Sequence, residues 1–171
     1  SANLSVSDDI DPAGDDGETE NPTKQFNAVA YTGNGSTQSI NVGFQPDFVW
    51  LKSRSEAEHH TLNDSVRGAN NQIYSHLAYS NATDTDRLQS FNSDGFTLGT
   101  DVIVNKNAQT FVSWNWKAGT TGSGTTTGSG TGKAYSYSVN TTAGFSIVKY
   151  VGNQTAGHTI PHHLGAKPDA I

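Results

Sequence analysis

The chain contains no cysteine. Disulfides and thiolate metal centres are therefore excluded, and the thiols say nothing about redox compartment. Charge is sparse: charged residues make up 15% of the 171, and apolar residues only 33%. No apolar run approaches the ~20 residues a bilayer-spanning helix needs. The opening at Ser1 has neither the basic start nor the apolar stretch of a signal peptide. A basic surface is missing as well. The formal net charge is -6, and residues 1–20 carry seven acids (Asp8, Asp9, Asp11, Asp15, Asp16, Glu18, Glu20) with no Lys or Arg. Nucleic-acid binding depends on cationic groups that release counterions, so that class is set aside.

What fills the space is Gly, Ser, Thr and Asn. That composition favours short strands joined by turns and disfavours long helices, whose preferred residues no window supplies. Residues 1–24 read as an extended acidic arm or linker, too poor in apolar surface to order alone. Its few apolar residues, Leu4, Val6 and Ile10, are the candidate docking points, able to add as a strand to a neighbouring sheet edge.

Residues 25–118 read as a first β module. "FNAVAY" is a strand candidate before the turn cluster "TGNGSTQ", and "PDFVWLKS" reads as a well-buried strand. "SDGFTLGT" puts a turn at Asp94-Gly95, with Phe96 and Leu98 sharing a face. "DVIVN" reads as another short strand. "TFVSWNWKAG" alternates: Val112, Trp114 and Trp116 on one side, Phe111, Ser113 and Asn115 on the other. Residues 62–90 are consistent with a short helical turn or an irregular strand. Residues 119–133, Gly/Ser/Thr-rich, read as a linker, flexible or draped over a surface. The expected fold class is all-β, with a β-sandwich-like module after the acidic arm and the start of a second module at 134–171.

The second module is inferred from a repeat. At a shift of 119, Asn21, Thr23, Phe26, Val29, Tyr31, Gly33 and Asn34 meet Asn140, Thr142, Phe145, Val148, Tyr150, Gly152 and Asn153. After a three-residue insertion, Gly43, Pro46 and Asp47 meet Gly165, Pro168 and Asp169. A unit of this length is a tandem domain, far longer than a solenoid repeat of about 20–50 residues. The second copy stops inside the strand that matches "FVWLK", so the expectation is a longer natural chain.

Catalytic and metal sites each demand particular side chains in a particular arrangement. A glycosidase needs two facing carboxylates, and Asp47, Asp64, Asp94 and Asp101 each have a structural explanation at a strand entrance, turn or ion pair. No G-x-S-x-G elbow marks a hydrolase nucleophile. "EHH" (Glu58, His59, His60) and "HTIPHH" (His158, His162, His163) offer imidazoles, but neighbours on a strand point to opposite faces, so the pairs are poor metal ligands. Neither "DDIDPAGDDGETE" nor "NATDTD" has the calcium-loop spacing. Trp50, Trp114 and Trp116 are expected to pack in the core, leaving loops near Tyr31–Ser39 and Tyr74–Asp86 as the place for a glycan contact. The expectation is no enzyme, no cofactor and no metal.

The blocks "YTGNGSTQSINVGFQPDFVWLKSR", "LNDSVRG", "SFNSDGFTLGTD", "TFVSWNWKAG" and "TTAGFSIVKYVGNQTAGHTIPHHLGAKPD" resemble, in order, a module of bacteriophage structural proteins. That module is frequent in marine and cyanobacterial phages and is often described as a tail fibre or virion protein. The resemblance covers about residues 22–171 and omits the leader. It implies a virion structural or adhesion protein of tail-fibre type, located on the particle. Its implied partners are other virion proteins of the tail or capsid, a homo-oligomer such as a trimer, and a host surface glycan. A capsid decoration protein and a carbohydrate-binding module are the alternatives.

Overall fold

The computed structural model describes residues 22–171, and the docking candidates Leu4, Val6 and Ile10 lie outside the described residues. The fold is all-β and sandwich-like. After a 3-10 turn at Pro22–Lys24, strands run β1 (Phe26–Thr32), β2 (Gln38–Asn41), β3 (Phe48–Ser53), β4 (Thr61–Asp64), β5 (Asn71–Ile73), β6 (Ala82–Thr83), β7 (Leu88–Asn92) and β8 (Gly95–Leu98). Helix α1 (Val102–Asn105) follows, then β9 (Thr110–Trp116), β10 (Thr120–Thr125), β11 (Thr127–Gly128), β12 (Ala134–Asn140), β13 (Phe145–Tyr150) and β14 (His158–Thr159).

A six-stranded antiparallel sheet, β1-β9-β3-β4-β5-β6, stacks on a three-stranded one, β2-β8-β7. Their inner faces make the core. Ile40, Val42, Phe96, Leu98 and Leu88 from the small sheet meet Val49 and Leu51 from the large one, with Phe44 and Val104 closing the ends. Burying this much apolar area is the main stabilising term, near 25 cal/mol per Å².

Alternation along β9 follows the sequence, but the core face is the other one. Phe111, Ser113 and Asn115 are buried, whereas Trp114 and Trp116 are half-buried on the outside, with Trp50 beside them on β3. This corrects the expectation of core tryptophans. It also limits the burial expected of β3 to one of its faces. The inner polar groups are tolerated because they bond within the sheet: Asn115 Nδ2 donates to the Asn27 carbonyl and Ser113 Oγ to the Val29 carbonyl.

Two further local readings change. "DVIVN" is a one-turn helix, α1, because the Asp101 carboxylate accepts a bond from the Ile103 N–H and caps it. The Gly/Ser/Thr stretch 119–133 carries strands β10 and β11. β10 pairs along its whole length with β12, and β11 pairs with β14. The physical reason lies opposite the glycines. Gly122 faces Tyr137 and Gly124 faces Tyr135 across the ladder, and the two phenol rings occupy the space a Cβ would need. Low complexity here makes room for large partners. Residues 62–90, left open by the sequence, are short irregular strands.

Some residues aligned by the repeat share local geometry and others do not: Tyr31 bonds the Val104 carbonyl, whereas Tyr150 is 54% exposed. Phe26 and Phe145 each open a strand. Asn34 Oδ1 accepts from the Ser36 N–H at 2.8 Å, and Asn153 Oδ1 accepts from the Thr155 N–H at 3.0 Å. Gly43 and Gly165 both sit at positive φ, 92° and 76°, where glycine alone is unstrained. The β12–β13 hairpin is tied to the large sheet: Phe145 packs on Trp116 and Phe48, and Asn140 Nδ2 donates to Gln25 Oε1 beside β1.

Candidate binding surface

Two aromatic clusters stand outside the core. The first is a stripe across the outer face of the large sheet. The β1–β9–β3 register sets Phe26 and Phe48 on either side of Trp116, and Trp50 beside Trp114. Trp50 and Trp114 meet edge to face with centroids 5.8 Å apart, a favoured quadrupole geometry. Phe26 is 40% exposed at the end of this stripe. An open hollow there is lined by Pro22, Gln25, Phe26, Trp116, Thr142 and Phe145.

The second cluster sits where β4 begins and β5 ends. These strands pair Leu62 with Ile73. Carrying that register three places outward brings His59 opposite His76, a juxtaposition the spacing in the sequence does not reveal. His59 Nδ1 lies 2.9 Å from His76 Nε2. Tyr74 meets His59 edge to face, and Tyr79 meets Tyr74 at 90°. Tyr79 is 67% exposed. His60 belongs to the same cluster, its ring centroid 5.2 Å from that of His76, and takes a 2.9 Å hydrogen bond from the Trp50 indole N–H. Burial first, then the charge of Lys52 and His76, pushes the His60 pKa down.

Tyr74 is held from beneath. Its hydroxyl accepts from Arg87 Nη1 at 2.7 Å and from Gln72 Nε2 at 3.3 Å. Arg87 in turn pairs with Asp101 and Asp84. Burial opposes its charge, but the bonds to Tyr74 and Asp101 outweigh that and raise its pKa. The shelf that carries Tyr79 is thus anchored through charge-assisted bonds to the α1 cap.

The other sequence candidates are occupied structurally. The Tyr31–Ser39 loop is pinned by buried Asn105, whose amide donates to the Ser36 and Gly99 carbonyls at 2.6 Å each. Tyr31 donates to the Val104 carbonyl, and burial pushes its hydroxyl pKa up. Asp47 accepts from Ser65 and from the Ala118 N–H, Asp64 pairs with Arg67, and Asp94 accepts from Asn41. His158 bonds Thr126 and Asn153, and His163 stacks on Tyr137 at 3.7 Å. Among the described residues, no group of three or more His, Asp or Glu side chains is placed to hold a metal ion. No helix among them is long and apolar enough to cross a membrane.

Fold and surface together define an all-β, sandwich-like domain with aromatic side chains displayed outside its core. Residues 21–171 match a family described as a domain of unknown function (DUF7483), and the chain belongs to that family. No curated protein matches it, and no solved structure does.

Proposed function

We propose that this chain is a structural module of a phage virion, of tail-fibre or spike type, that supports adhesion to a host surface glycan. The arm would attach it to the particle through Leu4, Val6 and Ile10. The motif resemblance supports the virion assignment. The observation that carries the adhesion assignment is the Tyr79 ring, 67% exposed on a shelf anchored by Arg87. An exposed, pre-positioned aromatic face suits stacking on the C–H face of a pyranose, and the same loop carries Asn81 and Thr83, which both bond Asn71 Oδ1. Order at such a shelf lowers the entropic cost of binding.

A glycan array probed with the full chain, together with antibody labelling of intact particles, tests both assignments. The expected results are retention on a subset of host surface glycans, loss of that retention in Tyr79→Ala at an unchanged melting temperature, and label on the tail. No retained glycan would remove the adhesion assignment. Label on the capsid shell, or none on the particle, would remove the tail assignment.

A further inference from the structure

We propose that His59 and His76 form a two-nitrogen site for a divalent transition-metal ion of the zinc or copper class. The continued β4–β5 register sets the two imidazoles opposite each other across the ladder, meeting at their nitrogen edges with His59 Nδ1 and His76 Nε2 2.9 Å apart and the rings tilted by 37°. Two ring nitrogens bound to one tetrahedral zinc at ~2.0–2.1 Å stand ~3.3 Å apart. To admit an ion the rings need to part by a few tenths of an ångström and pivot so that both lone pairs turn from one another toward the metal.

The present contact uses one shared hydrogen, N–H on one ring and lone pair on the other. When the metal enters, that hydrogen moves to the far nitrogen of its own ring. Both rings stay neutral and both facing lone pairs become donors. His60 stands close to the pair, its ring 5.2 Å from that of His76, but supplies no donor. Its Nδ1 accepts from Trp50, so its neutral form carries hydrogen on Nε2 and offers no free lone pair. Tyr74, edge-on to His59 and anchored by Arg87, limits the rotation of the first ligand. Both imidazoles are solvent-exposed, so water completes the coordination and the ion exchanges freely. Imidazole donors suit copper, nickel and zinc, with copper(II) bound most tightly.

The test uses the full chain. Zinc chloride is titrated by calorimetry, and copper(II) is followed by electron paramagnetic resonance. The expected result is one site per chain and splitting from two nitrogens. Either His59→Ala or His76→Ala should weaken binding by at least the ~10-fold that losing a hydrogen-bond partner behind a ligand costs. His162→Ala, a substitution outside the cluster, should leave it unchanged. Zinc should also raise the melting temperature of the parent and not of His76→Ala. Equal affinity in the parent and in either His59→Ala or His76→Ala overturns the proposal. So does a comparable loss in His162→Ala, which would mean adventitious binding only. The Tyr79→Ala variant should keep the metal, so failure of the glycan reading and failure of this one are separate results.

Discussion

Trp50 and His60 are locked together on the outer face of the large sheet, the indole N–H donating to imidazole Nδ1 at 2.9 Å. A doubly protonated imidazole has no lone pair to accept that bond. Folding therefore favours the neutral ring, consistent with the lowered His60 pKa. The unfolded chain takes up its proton near the ordinary value of 6.5 while the folded chain does so at lower pH. Stability should accordingly fall as pH drops below that value and level off beneath the folded pKa. Urea melts at stepped pH check this, and His60→Gln should flatten that part of the profile.

Asn105 is fully buried and bonds both edges of the first long turn, accepting from the Asn34 N–H and Gln38 Nε2 and donating to Ser36 and Gly99. Asn105→Ala leaves several of those groups without partners. The expected loss is on the order of 3 kcal/mol, read from chemical denaturation. Faster amide exchange should be confined to residues 33–38 and α1.

Gly122→Ala places a methyl 2.5–2.7 Å from the Tyr137 ring. The ring cannot withdraw freely, because His163 stacks on its other side at 3.7 Å. The expected cost is about 1–3 kcal/mol in thermal melts. Adding Tyr137→Ala should recover part of it, a coupling a double-mutant cycle measures.

Phe145→Ala removes the ring that stacks on Trp116 at 5.9 Å and meets Phe48 at 6.0 Å. Half-buried as it is, the ring should be worth about 1–2 kcal/mol. Tryptophan emission should shift to longer wavelength as the Trp116 indole meets water. An unchanged spectrum would mean that the hairpin and the large sheet do not rely on this contact.

The strand content was legible in the sequence because "TFVSWNW" and "FVWLK" are rich in β-formers. The side facing the core was not. Large aromatics ordinarily go inside, yet Ser113 and Asn115 are inside here, since carbonyls of β1 stand ready to receive them. Only the partner strand could reveal that. The same holds for Gly122 and Gly124, which look like slack until Tyr137 and Tyr135 are set opposite. "DVIVN" misled because one capping bond from Asp101 outweighed β-branched propensity over so short a segment. The loop holding Tyr79 was one of two named only because the tryptophans were expected inside the core. The His59–His76 contact was hidden, because it depends on a register between β4 and β5 that no spacing rule encodes.

The β10–β12 ladder also decides how the molecule carries load. Tension applied between the N-terminal end and β13 would meet antiparallel strands whose hydrogen bonds lie across the pull, after an Asn140–Gln25 clasp at the junction. The segment richest in glycine is therefore a bonded ladder, not a slack tether, and it lengthens only when those bonds break.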